Sequence, residues 1–330
     1  MPQNHLPTMK DIWAARKTIS GHIARTPLFK SPVLSDHFNA SVYLKLETAH
    51  EVGAFKVRGA ANKLLSLTPA ESKRGVATFS TGNHGIAVAY MAGRMRIPAV
   101  VCLSQRVPEA KINVLKRLGA TVKLIGNNQD DAERCCYELA REQGLTVIKP
   151  FDDFQVIAGQ GTIGLELMED CPAVDTAIIP VSGGGLFSGV ALALKTCKPD
   201  IQLWGVSMER SPVMYTSLQA GRPVMLEEQP TLADSLLGGI GLDNQYTFAM
   251  VQQYIDNFVL VSEEAIAGSM AYLFKHHRLV AEGAAATGIA ALLGMDKARI
   301  AAGSNIIVIV TGNNVGAAAF VQAVSNHCSL

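Results

Sequence analysis

The sequence predicts an α/β protein built on mostly parallel sheets. From residue 42 onward, short apolar runs rich in β-branched residues alternate with longer segments of helical period. Two helical segments carry clear end signals: PEAKINVLKRLG begins with Pro and ends with Gly, and EEAIAGSMAYLFKHHR is acidic at its start and basic at its end. Alternation of this kind predicts parallel strands that are covered by the intervening helices.

Nine apolar runs are the strand candidates, and their β-branched residues favour strand over helix. They are VYLKLE, GVATFS, PAVVCLS, TVKLIG, TVIKP, DTAIIPV, QLWGVSM, FVLVSE and NIIVIVTG. In open α/β sheets, ligands bind beyond the carboxyl ends of the strands, so the loops that follow these runs are where a site is expected.

The spacing of the strand candidates also predicts the domain organisation. The runs from GVATFS to TVIKP lie between residues 75 and 150, which is enough for a small α/β unit. No Pro/Ser-rich linker separates this unit from the rest, so we expect the chain to leave a large domain, form the small one and return. The predicted large domain comprises residues 1–70 and 151–330, and the inserted small domain comprises residues 71–150.

The composition is typical of a compact globular protein. Of the 330 residues, 48% are hydrophobic and 17% are charged, and the formal net charge is +1. This balance argues against nucleic acid and anionic membranes as partners. The six cysteines show no CxxC spacing, as expected of reduced thiols in a cytoplasm. No stretch resembles a signal peptide or approaches the roughly 20 apolar residues of a membrane span, and we expect a cytoplasmic protein.

Three consecutive glycines follow one of the strand candidates. They lie in VSGGGLFSGVALALK, residues 181–195, directly after the apolar part of DTAIIPV. Between a strand and a helix, residues without Cβ let backbone N–H groups converge on an anion, and the helix N-terminus adds its dipole. The run matches neither a P-loop nor a full GxGxxG fingerprint, and tight turns alone also require Gly. By itself it indicates either a phosphate-binding loop or a structural turn.

Two further turns carry polar residues at the ends of strand candidates. STGNHGIAVAYMAG, residues 80–93, would place Ser80 and Asn83 at the start of a helix, as donors to a small carboxylate or a ring oxygen. TGNN, residues 311–314, would present the Thr311 hydroxyl at the end of the last strand. An ordinary N-cap and an ordinary turn also explain these residues when each motif is considered alone.

A single lysine lies at the centre of GAFKVRGAANK, residues 53–63. Gly53 and Ala54 precede Phe55 and Lys56, and their small size lets another group pack closely against this turn. A lysine amine becomes a useful nucleophile when burial or a neighbouring cation lowers its pKa. Most lysines on helices are instead solvated charges, and the stretch alone favours that interpretation.

Together, the four motifs point to pyridoxal 5′-phosphate. This cofactor requires a lysine for a Schiff base, a loop for its phosphate, and polar partners for its ring and for the substrate carboxylate. In order and wording, GAFKVRGA, STGNHG, SGGGL and TGNN resemble the fold-type II pyridoxal phosphate enzymes, in particular the threonine dehydratase and serine racemase group. The resemblance runs from TPLFKSPVLS to TGNN. It implies a tryptophan synthase β-like fold with the cofactor between two α/β domains, an amino-acid substrate and a homodimer.

The resemblance assigns roles to the matching positions. Lys56 would carry the cofactor as a Schiff base, with Phe55 beside it. Asn83 would contact the ring hydroxyl, and Thr311 would meet the pyridine nitrogen. The implied reaction is α,β-elimination of water from a β-hydroxy-α-amino acid. The phosphate loop would comprise Ser182, Gly183, Gly184, Gly185 and Leu186, and the loop that receives the substrate carboxylate would comprise Ser80, Thr81, Gly82, Asn83 and His84.

The chain departs from its relatives at three positions near the predicted site. One carries a larger side chain, and two lack a hydroxyl group. Racemases of the group carry a serine, which acts as a second base, where this chain has Thr81. Thr81 is therefore a second catalytic candidate, and its bulk disfavours racemisation. Many relatives read TGSFK, with two hydroxyls where this chain has Val52 and Ala54.

The chain also departs from relatives that bind a divalent cation. Those relatives place acidic residues where we align Ser207 and Val213. We therefore expect no metal site, although Glu209 offers one carboxylate that could partly replace it as a ligand for Mg²⁺.

Three stretches most resemble one branch of the group, the hydroxyectoine-utilisation dehydratases. They are GVSMERS, TLADSLLGGIGLDN and LVAEGAAATGIAALL. Two other activities remain open on the same scaffold, racemisation and β-replacement of the cysteine synthase type. A third alternative is a non-catalytic protein that binds a phosphorylated small molecule through the glycine loop alone.

Overall fold

The computed structural model describes residues 5–80, 82–105, 107, 109–126 and 129–327. The strands are β1 (Leu28–Lys30), β2 (Ser41–Leu46), β3 (Val76–Thr78), β4 (Ala99–Leu103), β5 (Thr121–Leu124), β6 (Thr146–Val147), β7 (Thr176–Pro180), β8 (Gln202–Met208), β9 (Asn257–Val261) and β10 (Asn305–Val310). The α-helices are α1 (Met9–Ile19), α2 (Pro32–Phe38), α3 (Lys56–Leu65), α4 (Pro69–Arg74), α5 (Asn83–Met95), α6 (Glu109–Arg117), α7 (Gln129–Gln143), α8 (Phe154–Asp170), α9 (Gly185–Cys197), α10 (Val213–Ala220), α11 (Thr247–Tyr254), α12 (Glu263–His277), α13 (Gly283–Leu293) and α14 (Ala317–Val324). Short 3₁₀ helices lie at Glu47–Ala49, Asp234–Leu236 and Lys297–Arg299.

The larger sheet, as far as the described residues show, has the strand order β1-β2-β10-β7-β8-β9. Its strands are parallel except β1, which pairs antiparallel with β2 at the edge. The predicted strands of this sheet lie where the sequence places them, and the prediction of a mostly parallel α/β fold is confirmed. β1 is absent from the sequence prediction because three residues are too few to show a periodicity.

The smaller sheet has the order β5-β4-β3-β6, with parallel pairing throughout the described residues. Successive residues of a strand point to opposite faces, so Val101 packs with helix α5 while Cys102 packs with helix α7. The four strands coincide with the runs from GVATFS to TVIKP. The division of the chain at residues 70 and 150 remains our proposal for the domain boundaries.

Close packing of three helices positions the loops at the carboxyl ends of the strands. Helix α8 lies against α3 and α9, and glycines allow the approach. A Cβ on Gly159 would lie 2.7 Å from the carbonyl oxygen of Arg58, and a Cβ on Gly189 would lie 2.3 Å from the carbonyl oxygen of Ile157. The start of α3, which carries Lys56, and the start of α9, which follows the three glycines, are therefore held by the same central helix.

A buried cluster of charged side chains also anchors α3. The Arg58 guanidinium donates to Glu47 at 2.8 and 2.9 Å and to Glu166 at 2.6 and 2.9 Å. Lys45 Nζ donates to Glu166 at 2.6 Å, and His50 Nε2 lies 3.1 Å from Glu47. These five side chains are all buried. Such a cluster is stable only when each charge is paired, so it fixes α3 relative to β2 and α8.

Candidate active site

The carboxyl ends of β3, β7 and β10 open into a cavity of about 1160 Å³. This is the edge of the sheets at which α/β proteins bind ligands. The predicted site residues within the described ranges all line this cavity, and Thr81 lies outside the described residues. They are Phe55, Lys56, Ser80, Gly82, Asn83, His84, Ser182, Gly183, Gly184, Gly185, Leu186 and Thr311.

Lys56 begins helix α3 at the wall of the cavity. Its Nζ donates to the carbonyl oxygen of Pro150 at 2.7 Å and lies 5.2 Å from the centre of the Phe55 ring. Burial lowers the pKa of this amine to about 8, and the nearby Glu282 carboxylate opposes the shift. The backbone N–H of Phe55 donates to the carbonyl oxygen of Thr311 at 3.1 Å, which ties the lysine turn to the end of β10. The amine is thus poised near neutral pH, as a nucleophile or proton acceptor requires.

Gly183 and Gly184 lie in the turn between β7 and α9, and Gly185 begins the helix. A Cβ on Gly183 would lie 2.3 Å from the Phe151 ring, and a Cβ on Gly185 would lie 2.9 Å from the Phe151 backbone. Gly184 has φ +85°, a left-handed conformation that other residues rarely adopt. The loop leads into a helix of 13 residues, whose N-terminal N–H groups attract an anion. This geometry fits a phosphate.

Replacing Gly184 by alanine should weaken the binding of pyridoxal 5′-phosphate about tenfold, which corresponds to about 1.4 kcal/mol. A Cβ at this position would lie 2.9 Å from Met214 and would also carry the strain of a positive φ. Fluorescence titration of the apo-protein with the cofactor measures the change. Gly21→Ala is the matched control, since no atom lies within 4 Å of its added Cβ. Equal cofactor affinity in both variants would contradict the prediction.

Asn83 belongs to a chain of hydrogen bonds that runs from the backbone of Val52 to Glu282. Asn314 Nδ2 donates to the carbonyl oxygen of Val52 at 2.8 Å and to Asn83 Oδ1 at 2.6 Å. Asn83 Nδ2 in turn donates to Glu282 Oε1 at 2.8 Å. The chain links the segment before Lys56, the TGNN turn and the start of helix α5 to one carboxyl group.

Glu282 is a cavity residue that sequence reasoning missed. It precedes helix α13, is 2% exposed, and has one carboxyl oxygen, Oε2, without a hydrogen-bond partner. Burial, with Asp234 nearby, raises its pKa to about 7. The sequence signal was one acidic residue directly before the apolar helix GAAATGIAALL, which is also the pattern of an ordinary helix start.

His84 is buried, and one backbone carbonyl group determines which nitrogen of its ring carries the proton. Its Nε2 lies 2.9 Å from the carbonyl oxygen of Ile148, which can only accept, so Nε2 carries the proton. Burial, and the positive charge of Lys56, lower the pKa of His84 to about 3. Its buried Nδ1 has no partner and is therefore an acceptor. A carboxylate bound by this loop would take its hydrogen bonds from backbone N–H groups.

The comparison with known families decides which ligand this cavity suits. The profile of the family "Pyridoxal-phosphate dependent enzyme" matches residues 19–312, most of the chain. The chain belongs to this family. As a pyridoxal-phosphate-dependent enzyme it shares the fold-type II architecture with solved relatives, which confirms the predicted fold class and cofactor.

Individual relatives narrow the comparison. The chain is 44% identical to a putative threonine dehydratase of Sinorhizobium fredii over 93% of its own length and 92% of that protein. It is 40% identical to the L-threonine ammonia-lyase of Thermotoga maritima over 93% of its length and 76% of that protein. The structure of maize serine racemase superposes with a TM-score of 0.91 at 31% identity and covers 98% of both chains.

The residues present fit pyridoxal 5′-phosphate. The glycine loop offers a cradle for its phosphate, and Lys56 offers the amine for its aldehyde. Glu282 and His84, which line the same cavity, each carry one buried polar atom without a partner in the protein, which is uncommon in folded proteins. Within the described residues, no three His, Cys, Asp or Glu side chains converge to hold a metal ion, and no helix has the length and apolar character of a membrane span.

Proposed function

We propose that this enzyme, a pyridoxal-phosphate-dependent lyase, eliminates water from a β-hydroxy-α-amino acid and releases a 2-oxo acid and ammonia. The observation that carries the proposal is the meeting of a lysine amine of lowered pKa with the glycine loop in one cavity. Relatives named threonine dehydratase and threonine ammonia-lyase support the same reaction.

The cofactor, when bound, supplies the electron sink that delocalises the negative charge left at the substrate Cα. Lys56 would hold the cofactor covalently, and once the substrate amine had displaced it, the free Nζ would accept the Cα proton, which its lowered pKa favours. The substrate β-hydroxyl would take up a proton and leave as water. The loop 182–186 would hold the phosphate. Asn83 would donate to the ring oxygen, and Thr311 would lie at the ring nitrogen. Backbone N–H groups of residues 80–84 would orient the substrate carboxylate.

The cavity is bordered by a loop that is the least regular part of the sequence. Residues 234–243 line it from the large sheet's side, and α6 lines it from the small sheet's side. Lys111 Nζ on α6 lies 3.5 Å from Asp234, so an ion pair spans the two walls. Both side chains are substantially exposed, and such a pair contributes little to stability.

Product analysis with the purified holoenzyme tests the reaction type. L-Serine or L-threonine should give a 2-oxo acid and ammonia in equal amounts, because the enamine product tautomerises and hydrolyses. Appearance of the D-isomer without 2-oxo acid would identify a racemase, and a thioether formed only with added sulfide would identify a β-replacement enzyme. Colourless protein that resists borohydride reduction would identify a phosphate binder. Parallel assays with magnesium and with a chelator measure any dependence on a divalent cation.

For the substrate, we propose a ring-opened hydroxyectoine derivative, following the branch that the sequence resembles. Val52 and Ala54 are buried beside the lysine turn and lie behind the residues that line the cavity, so apolar packing replaces the two hydroxyls of TGSFK relatives next to Lys56. The cavity of about 1160 Å³ also leaves room for a substrate larger than threonine. Comparison of kcat/KM for this derivative, serine, threonine and 3-hydroxyaspartate tests the assignment. A higher value for threonine would reject it.

The runner-up activity is racemisation, which the similarity to maize serine racemase favours. Threonine in place of serine at residue 81 disfavours it, because the additional methyl group on the β-carbon crowds a second base. We therefore place elimination first.

A further inference from the structure

Glu282 is buried in the cavity wall, and neither of its near neighbours neutralises it by a direct ion pair. The charged groups that face it are Lys56 from α3 and Asp234 from the 3₁₀ helix Asp234–Leu236, which act on it in opposite directions. Its Oε1 accepts from Asn83, and Oε2 has no partner at hydrogen-bond geometry, although the Ser235 side chain and the Asn314 backbone are close enough to lower the pKa of Glu282. A buried carboxyl group with a free oxygen is costly to fold, so a use for it is expected.

The hydrogen-bond chain that ends at Glu282 has one possible polarity. The carbonyl oxygen of Val52 can only accept, so the nitrogen of the Asn314 amide faces it. The same nitrogen donates to Asn83, so Asn83 presents Oδ1 to Asn314 and Nδ2 to Glu282. Glu282 Oε1 accepts from Asn83 Nδ2 at 2.8 Å, which agrees with this orientation from the other end. One N–H of Asn83 remains and is available to the cavity.

Gly312 leaves space for the contact between Glu282 and Asn83. A Cβ on Gly312 would lie 3.0 Å from Glu282 Oε1 and 3.2 Å from Asn83 Nδ2. The backbone N–H of Glu282 also donates to the carbonyl oxygen of Gly312 at 3.1 Å. The turn after β10 therefore holds the carboxyl group against the Asn83 amide from two sides.

We propose that Glu282 is a positioning residue for the cofactor: it orients the Asn83 amide so that an N–H faces the ring oxygen, and in its ionised form it places a negative charge near that oxygen. The proposal rests on the proposed contact between Asn83 and the ring. It does not depend on which amino acid is the substrate or on elimination as the reaction.

Two effects follow for the bound cofactor. A neighbouring carboxylate raises the pKa of any acid beside it, and removing the charge lowers that pKa. Glu282→Gln keeps an acceptor for Asn83 but removes the charge, so the pH midpoint of the cofactor's visible absorbance change should fall by about one unit. Glu282→Asp keeps the charge but retracts the acceptor, so the midpoint should stay while the cofactor affinity falls about tenfold through loss of one buried hydrogen bond.

The experiment is an absorbance titration of the holoenzyme between pH 5 and pH 9 in the absence of substrate, together with the dissociation constant of pyridoxal 5′-phosphate from the apo-protein. Glu264→Gln is the control, because Glu264 is exposed on helix α12. Its midpoint and its affinity should equal those of the wild type. An unchanged midpoint in Glu282→Gln, or the same shift in Glu264→Gln, would overturn the proposal.

A second variant keeps the proposal testable if Glu282→Gln folds poorly. Asn314→Leu retains Glu282 but removes the donor that orients Asn83. It should weaken cofactor binding about tenfold and leave the midpoint within a few tenths of a unit, since the charge is retained. Wild-type affinity in this variant would show that the chain does not position Asn83. Failure of the elimination assay would leave all these absorbance results unchanged, so the two proposals fail separately.

Discussion

Lys56→Ala is expected to abolish both the visible absorbance of bound pyridoxal 5′-phosphate and the elimination activity. Lys56 is the lysine that the cavity brings to the glycine loop and to Asn83, and no other proposed group replaces its covalent link and proton transfer. Removal of such a nucleophile typically costs several orders of magnitude in kcat. Ammonia release and the absorbance spectrum of the purified variant measure the two effects.

The control for this variant is Lys73→Ala, an exposed lysine on helix α4, which should retain full turnover and colour.

Loss of folding can also be separated from loss of chemistry. Because burial lowers the pKa of Lys56 from 10.5 to about 8, its charge is unfavourable in the folded apo-protein below about pH 8, and stability rises from there towards pH 10.5. The apo-form of Lys56→Ala should therefore be no less stable than the wild type at pH 7. Full turnover in Lys56→Ala would disprove the assignment.

Arg58→Met is expected to lower the free energy of unfolding by about 3–5 kcal/mol. The change removes the cation that pairs with both Glu47 and Glu166, and it leaves these buried carboxylates without their principal partner. Methionine retains much of the side-chain volume, so the loss measures the charge rather than a cavity. Urea unfolding of the apo-protein, followed by circular dichroism, measures the difference.

The pH dependence of this effect has a definite sign. Burial alone would raise the pKa of Glu47 and of Glu166, but Arg58, together with His50 at Glu47 and Lys45 at Glu166, more than offsets it and both pKa values are lowered. A carboxyl group with a lowered folded-state pKa stabilises the protein above its ordinary value and loses that contribution as the pH falls through the folded-state value. The stability of the variant should therefore depend less steeply on acid pH than that of the wild type.

Arg25→Ala is the matched control for Arg58. Arg25 pairs with Glu169 and Asp170, but its side chain is 48% exposed, and exposed pairs contribute about 1 kcal/mol or less. A similar loss in both arginine variants would mean that burial of the cluster around Arg58 adds nothing.

Local patterns were sufficient to predict the α/β class and nine strands. Each strand run, such as NIIVIVTG, is bounded by turn residues and is long enough to show its character within the sequence. The three glycines indicated a turn after a strand but left a phosphate loop and a structural turn both open, and only the structure shows the left-handed φ of Gly184 and the close approach of Phe151 to Gly183.

Other features could not be predicted because they depend on residues distant in sequence. Arg58 lies two residues after Lys56 in a helical stretch, where a charged side chain is expected to be exposed to solvent. Its burial depends on Glu47 and on Glu166, which is 108 residues away. Glu282 hydrogen-bonds to Asn83, which is 199 residues away. Its raised pKa results from burial, which the local sequence does not show.

The sequence by itself determined which elements form and in which order, since backbone propensity and glycine requirements act over a few residues, and it indicated four motifs as candidates for the site. Only the tertiary structure decided the state of Lys56 and the presence of Glu282 beside Asn83. The physical reason is that desolvation and hydrogen-bond polarity depend on neighbours that the chain brings together from distant segments. Lys56 resembles a solvated surface charge in the sequence, but burial in the folded protein lowers the pKa of its amine to about 8.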